Sequence, residues 1–161
     1  MGLIYNVIST ALQAALNSFV FDYWIRQSVS ANLNMFFIMQ VPLPRFLPNQ
    51  NRSAQITQRA VRLICTTPEF DDLARAVGLP HPTPLPEGEG TKRAEAYVPY
   101  GTTDPTERAR LRAELDGLVA HLYGLTEEEF VHILGTFPLV ADPVKQAARN
   151  AYRDVARGLI Q

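Results

Sequence analysis

The sequence predicts a mainly α-helical protein, a bundle of about five to six helices with one short strand or small β element. Apolar residues recur at helical spacing in most segments, and helix-starting residues or helix-ending glycines separate one segment from the next. The chain has 161 residues, of which 47% are hydrophobic and 19% charged. That length and composition predict a single domain over residues 1–161 with a buried core.

The first element is predicted to be one long amphipathic helix within residues 3–25, because its apolar residues recur every three or four positions. Its apolar face is wide, and four large residues on it are candidates for an interface: Phe19, Val20, Phe21 and Trp24. We therefore expect a homodimer or a fold that depends on a partner. Asp22 is its only charge, but polar residues interrupt the apolar run, so we do not expect a membrane span.

A short buried strand is expected after this helix. The apolar run MFFIMQV, residues 35–41, follows Asn34 and is ended by Pro42 and Pro44, which cannot donate to a sheet ladder. The next segment, from Arg45 to Arg52, has the composition of a polar loop.

Further helices are indicated by start signals, each of them a capping residue or an early proline. These signals are Ser53, Thr67-Pro68, Asp104-Pro105, Thr126 to Glu129, and Asp142-Pro143. Glycines at 78 and 124 are placed to end two of the helices. Between the helical halves, residues 80–93 (PHPTPLPEGEGTKR) predict an exposed, mobile loop, because this Pro- and Gly-rich stretch cannot bury a core face.

Motifs for catalysis, metal binding or cofactor binding are missing from the sequence. The three histidines lack metal-ligand spacing, and Cys65, the only cysteine, has no neighbour that would activate it. We therefore predict no catalytic, metal or cofactor residues, and the single cysteine fits a reducing cytoplasmic location. A small hydrolase that uses Cys65 or a histidine is the minor alternative.

Two polar segments are candidates for binding a polyanion, although the formal net charge of −1 gives no sign of a strongly basic nucleic-acid binder. Arginine, lysine and asparagine in loops can bond phosphates and base edges. The candidate DNA-contacting residues are Arg45, Asn49, Asn51, Arg52, Lys92 and Arg93. The competing interpretation is that they are ordinary solvated loop residues.

Two segments resemble large restriction-modification DNA methyltransferases that modify adenine N6. In that family an LNS helix follows the catalytic domain, and a strand with the pattern LN-x-F-x-x-x-x-x-P-x-P leads into the target-recognition region. The N-terminal matches are Leu16, Asn17, Ser18, Asp22, Leu33, Asn34, Phe36, Pro42 and Pro44. The segment from Arg112 to Pro138 (RAELDGLVAHLYGLTEEEFVHILGTFP) is similar to the C-terminal helix pair, with matches at Asp116, Tyr123, Gly124, Leu125, Phe137 and Pro138.

The methyl-donor loop and the catalytic Asn-Pro-Pro-aromatic motif of that family do not occur in this sequence, so no catalytic residue is carried over. The resemblance implies a non-catalytic C-terminal helical module of such a methyltransferase, which contributes to DNA target recognition or positioning. The partners it implies are duplex DNA and a methyltransferase catalytic domain or subunit. The alternative is an interaction or structural protein that docks onto a separate catalytic subunit through its N-terminal apolar helix.

Overall fold

The computed structural model describes residues 2–28, 40–44, 51–80 and 98–160, and within these ranges every regular element is helical. Seven α-helices have bounds within these ranges: α1 (Gly2–Leu16), α2 (Phe19–Ser28), α3 (Asn51–Ile64), α4 (Asp71–Ala76), α5 (Pro105–Leu122), α6 (Glu127–Gly135) and α7 (Asp142–Ala156). A short 3-10 turn, Pro68–Phe70, precedes α4. The predicted mainly helical bundle is confirmed, whereas the expected number of five to six helices is wrong.

The additional helix arises because the predicted long first helix breaks at Asn17 and Ser18. Both side chains bond the backbone of the preceding turn, Asn17 Nδ2 to Gln13 O at 2.7 Å and Ser18 Oγ to Ala15 O at 2.7 Å. The Phe21 amide donates to Ser18 Oγ at 3.3 Å, so Ser18 caps the start of α2. These short polar side chains compete with the helical backbone ladder, which ends α1 and lets α2 begin in a new direction.

The predicted strand is not observed in the described part of the chain. Gln40 is helical, and Val41–Pro44 forms no regular structure. The rest of the apolar run, residues 35–39, lies outside the described residues, as do residues 81–93 of the predicted mobile loop.

Helix α5 lies at the centre of the bundle and packs against α1, α2, α3 and α7. Its fully buried residues Leu118 and Val119 join Ile56 of α3 and Phe130 of α6 in the main core. The crossing with α7 is unusually close at Gly117, where an added Cβ would lie 2.7 Å from the Tyr152 backbone nitrogen. Only glycine fits this crossing without moving a backbone.

A smaller second core forms where α3 ends. Cys65 and Val61 pack there against Ala74 of α4 and Tyr100. The chain is tied to this point by two backbone bonds, from Gly101 N to Cys65 O at 2.7 Å and from Thr102 N to Arg62 O at 2.8 Å. The segment that leads into α5 is therefore fixed against the end of α3.

Several predicted helix signals act as expected. Asp104 caps α5 by accepting the Glu107 amide at 2.7 Å, and Thr126 with Glu129 forms the complete capping box of α6. Gly124, with a φ of 70°, follows α5 in the left-handed conformation that stops a helix.

Two predictions for the start of α3 are wrong, the end of the polar loop at Arg52 and the capping role of Ser53. Helix α3 begins at Asn51, so Asn51 and Arg52 are helical and not part of the predicted polar loop. Ser53 is not its cap but a buried residue, because the helix extends past it in the N-terminal direction and turns its side chain inward. Among the described residues, none of the helices is both long and apolar enough to cross a membrane.

Candidate functional site

A cleft of about 920 Å³ opens between α1, α3, α5 and α7. Its walls are mostly small or aliphatic side chains, contributed by all four helices: Ala14, Ala60, Leu63, Ala113, Val144 and Ala147. On α5, the positions that line it follow helical spacing, with Ala109, Ala113 and Asp116 on one face. The site is therefore an apolar groove with a carboxylate in one wall.

The Asp116 carboxylate, in the wall of this cleft, binds the start of α2. Its Oδ1 accepts the Phe19 amide at 3.0 Å, across a separation of 97 residues in the sequence. The first amides of a helix have no partner within the helix and carry a partial positive charge, which a carboxylate satisfies. This bond holds the start of α2 against α5.

Burial of Asp116 changes its titration. Desolvation raises the pKa of the Asp116 carboxyl from 3.8 to about 7, against the opposing effect of the Phe19 amide, which favours the ionised form. The side chain is thus a carboxyl group that changes its charge near neutral pH in the wall of an apolar cleft.

Arginines rim the cleft on the α5 side. The lining includes Arg108, Arg110 and Arg112, with Asp116 as its only acidic residue among the described side chains. Arg108 is held by the Leu63 and Thr102 carbonyls, each at 2.9 Å. Arg112 is exposed, and no hydrogen bond or ion pair joins it to another described residue.

Ion pairs connect this rim to α3. The buried Glu114 carboxylate accepts Arg59 Nε at 2.6 Å and also binds Arg110, and Glu107 binds both Arg62 and Arg110. Because Glu114 is buried, its two arginines are needed to compensate for the lost hydration of the charge. The network fixes α3 against α5 and so sets the width of the cleft.

The candidate DNA-contacting residues are only partly within the described ranges, since Arg45, Asn49, Lys92 and Arg93 lie outside them. Asn51 and Arg52 are exposed in the first turn of α3. Arg52 NH1 donates to the His121 carbonyl at 3.4 Å, a long bond that leaves most of the guanidinium accessible.

The four predicted interface residues have different environments. Val20 and Phe21 are buried within the chain, at 1% and 8% exposure, because α2 turns after the break and packs on the bundle. Phe19 is half-buried, with its ring 4.9 Å from that of Phe137. Trp24 is 40% exposed, so it is the member of the set that offers the most surface to a partner.

Cys65 and the two described histidines differ in burial and contacts. Cys65 is buried, and desolvation together with the charge of Asp71 raises the pKa of its thiol to about 11, which disfavours a nucleophilic thiolate. His121 stacks on Tyr152 with ring centroids 4.0 Å apart, and His132 meets the edge of Tyr23. In the described ranges, His, Cys, Asp and Glu form no group suited to holding a metal ion.

The cleft is not among the sites predicted from the sequence, although the sequence contains one signal for it. Ala109, Ala113, Asp116 and Ala120 follow the i, i+4, i+7, i+11 spacing of one helix face, so a single carboxylate interrupts a line of alanines. A charged residue within such a line must find a partner or a solvent-filled cleft. No family model, curated protein or solved structure matches the chain.

Proposed function

We propose that this chain is a non-catalytic C-terminal helical module of a restriction-modification DNA methyltransferase that modifies adenine N6, and that it contributes to DNA target recognition or positioning. The observation that carries this proposal is the bond between Phe19 N and Asp116 Oδ1. It brings together the two segments that resemble this family, in the part of the bundle where α1, α2 and α5 meet. The two motifs thus contact each other in the fold, which supports the interpretation that both come from the same family.

The DNA role is supported by the distribution of charge over the helices. Helix α3 carries no acidic residue, and of its three arginines Arg59 and Arg62 are paired with Glu114 and Glu107, which leaves Arg52 as the arginine of this helix without a carboxylate partner among the described residues. Arg52 and Asn51 are exposed at its start, where the helix dipole favours a phosphate. Arginine also suits bidentate bonding to phosphate or guanine. The first turn of α3 is therefore the proposed DNA-contacting surface, and Arg45 and Asn49, which precede it in the sequence, are further candidates for contact.

Binding of a fluorescent DNA duplex, measured by anisotropy over a range of salt concentrations, tests the proposal. Replacing both Arg45 and Arg52 by alanine should weaken binding and lower the slope of log K against log salt by about 2, since each lost phosphate contact contributes about 0.9. Arg157→Ala is the matched control, because Arg157 is 67% exposed at the far end of α7. The DNA role fails if the wild-type chain binds no duplex at low salt, or if both variants lose the same affinity.

Docking onto a separate catalytic subunit is the second candidate function, and the exposure of Trp24 supports it. Trp24 belongs to α2, as does Arg26, whose guanidinium lies 4.4 Å from the Phe137 ring centroid. Tryptophan and arginine are the residues most enriched at energetically important interface positions. The test is co-purification of the chain with a catalytic subunit. This function is favoured over the first if Trp24→Ala abolishes the co-purification and leaves DNA binding unchanged.

A further inference from the structure

We infer that the cleft between α1, α3, α5 and α7 is a docking site for an amphipathic helix of a partner protein, one whose apolar face is bordered by aspartate or glutamate. This inference goes beyond the proposed DNA role, because it concerns a protein partner and a surface other than the first turn of α3. It does not depend on that role.

The shape and lining of the cleft suit a helix. Alanines on each of the four surrounding helices line it: Ala14, Ala60, Ala109, Ala113 and Ala147. Small side chains let a further helix approach closely, and the volume of about 920 Å³ is near the upper end of the roughly 300–1,000 Å³ that is usual for small-molecule sites. The lining of α5 runs from Arg108 to Asp116, which is about 12 Å or two turns of helix at 1.5 Å per residue.

Apolar surface in the cleft is exposed to solvent. Val144, at the start of α7, is 50% exposed, and Ala109 and Ala147 are also exposed. Leu139, in the connection that leads to α7, is also exposed, at 99%. Burying such side chains against a partner is favourable, because it removes apolar surface from water.

The charges of the lining select an acidic occupant over a basic one. Of the three arginines of α5 that line the cleft, Arg110 is paired with Glu107 and Glu114, whereas Arg108 and Arg112 have no carboxylate partner among the described residues. The one carboxylate of the lining, Asp116, already accepts the Phe19 amide. Arg112 has no charged partner among the described residues, and Ala113 beside it faces the cleft. An Asp or Glu at the border of an inserted helix would meet Arg112 in a desolvated place, where a bidentate ion pair is strongest. A polybasic helix would find repulsion at the same position.

Selection from a phage-displayed library of helical peptides of about 16 residues, or about 24 Å of helix, tests the inference on the full chain. Peptides are selected on the wild-type chain and counter-selected on Ala109→Trp, which fills the cleft at an exposed position. Gln146→Trp, on the exposed side of α7, is the matched control for an added tryptophan. We expect the peptides that require an open cleft to be amphipathic and rich in Asp and Glu, with affinities reduced at least about tenfold by Ala109→Trp.

A charge reversal then tests the role of Arg112. Arg112→Glu should reduce the affinity of the selected peptides about tenfold, while Arg157→Glu, an equal change of charge elsewhere, leaves it unchanged. Circular dichroism of each variant checks that the helical fold is kept. The inference is overturned if selection yields no peptide sensitive to Ala109→Trp, or if the selected peptides are basic. It is also overturned if Ala109→Trp abolishes self-association of the chain, because a second copy would then occupy the cleft. Displacement of the peptides by duplex DNA would overturn it as well, because DNA would then be the occupant.

Discussion

We expect the wild-type chain to become less stable as the pH rises towards neutrality, because the buried Asp116 carboxyl must then ionise. The Asp116→Asn variant should not lose this part of its free energy of unfolding. Burial raises the pKa of this carboxyl from 3.8 to about 7 in the folded state. The folded chain then holds a proton that the unfolded chain has already released, so the stability from this group is complete below about pH 4 and is lost as the pH rises through about 7. Asparagine does not titrate, and its amide oxygen can still accept the Phe19 amide.

The magnitude follows from linkage. A rise of the pKa from 3.8 to about 7 corresponds to at most about 4 kcal/mol, at 1.36 kcal/mol for each pKa unit. Asp116 retains some exposure to solvent, which weakens the desolvation, so we expect the observed change to be about 2 kcal/mol. We therefore compare the free energies of unfolding of the two chains. The value for Asp116→Asn minus the value for the wild type should rise by about 2 kcal/mol between about pH 4 and about pH 8.

Urea unfolding followed by circular dichroism at several pH values measures this difference. Using the difference between variant and wild type removes the contribution of other carboxyls, such as Glu127, whose pKa is lowered by hydrogen bonds from Arg153 and Arg149. Asp116→Ala serves as a second variant, because it abolishes the titration and also the bond to Phe19, and should be less stable than Asp116→Asn at every pH. A difference that stays constant within about 0.5 kcal/mol across the range would refute the reasoning.

Three further changes test the fold. Gly117→Ala should lower the free energy of unfolding in urea by about 2 kcal/mol, because the new Cβ would lie 2.7 Å from the Tyr152 nitrogen. This cost exceeds the better helix propensity of alanine. An unchanged urea midpoint would show that the crossing of α5 and α7 can widen freely. Thr126→Ala should cost about 1 kcal/mol through loss of the capping box of α6, whereas an exposed site such as Glu128→Ala should cost less. The Cys65 thiol should react with a disulfide reagent only as fast as the chain opens, and rapid labelling of the native chain would contradict its burial and raised pKa.

Local signals in the sequence were enough to predict the helical class and several helix ends. The capping of α5 by Asp104 and of α6 by Thr126 depends on residues within three positions of each other, so sequence alone shows it. The break at Ser18 was missed because nine apolar positions in the surrounding segment keep helical spacing across it. What decides the break is partly distant: Asp116 binds the start of α2 only when the whole bundle is formed.

The cleft was missed for a related reason, since four helices far apart in sequence contribute its walls. The line of alanines around Asp116 marks a face of α5, but nothing local shows that this face remains open. The burial of Val20 and Phe21 was likewise not predictable from the width of the apolar face, which shows only that these residues need apolar neighbours. Whether those neighbours come from the same chain or from a partner is a property of the tertiary structure.

The bond between Phe19 and Asp116 has a consequence for the order in which the chain acquires its structure during synthesis. At a ribosomal rate of roughly 5–20 residues per second, the 97 residues between them take on the order of 5–20 seconds to emerge. Throughout that interval the buried face of α2, including Val20 and Phe21, lacks the α5 surface it covers in the finished bundle. Closing a loop of this length also costs about 4 kcal/mol of chain entropy. The nascent N-terminal helices are thus exposed to aggregation and to chaperones until the C-terminal half arrives.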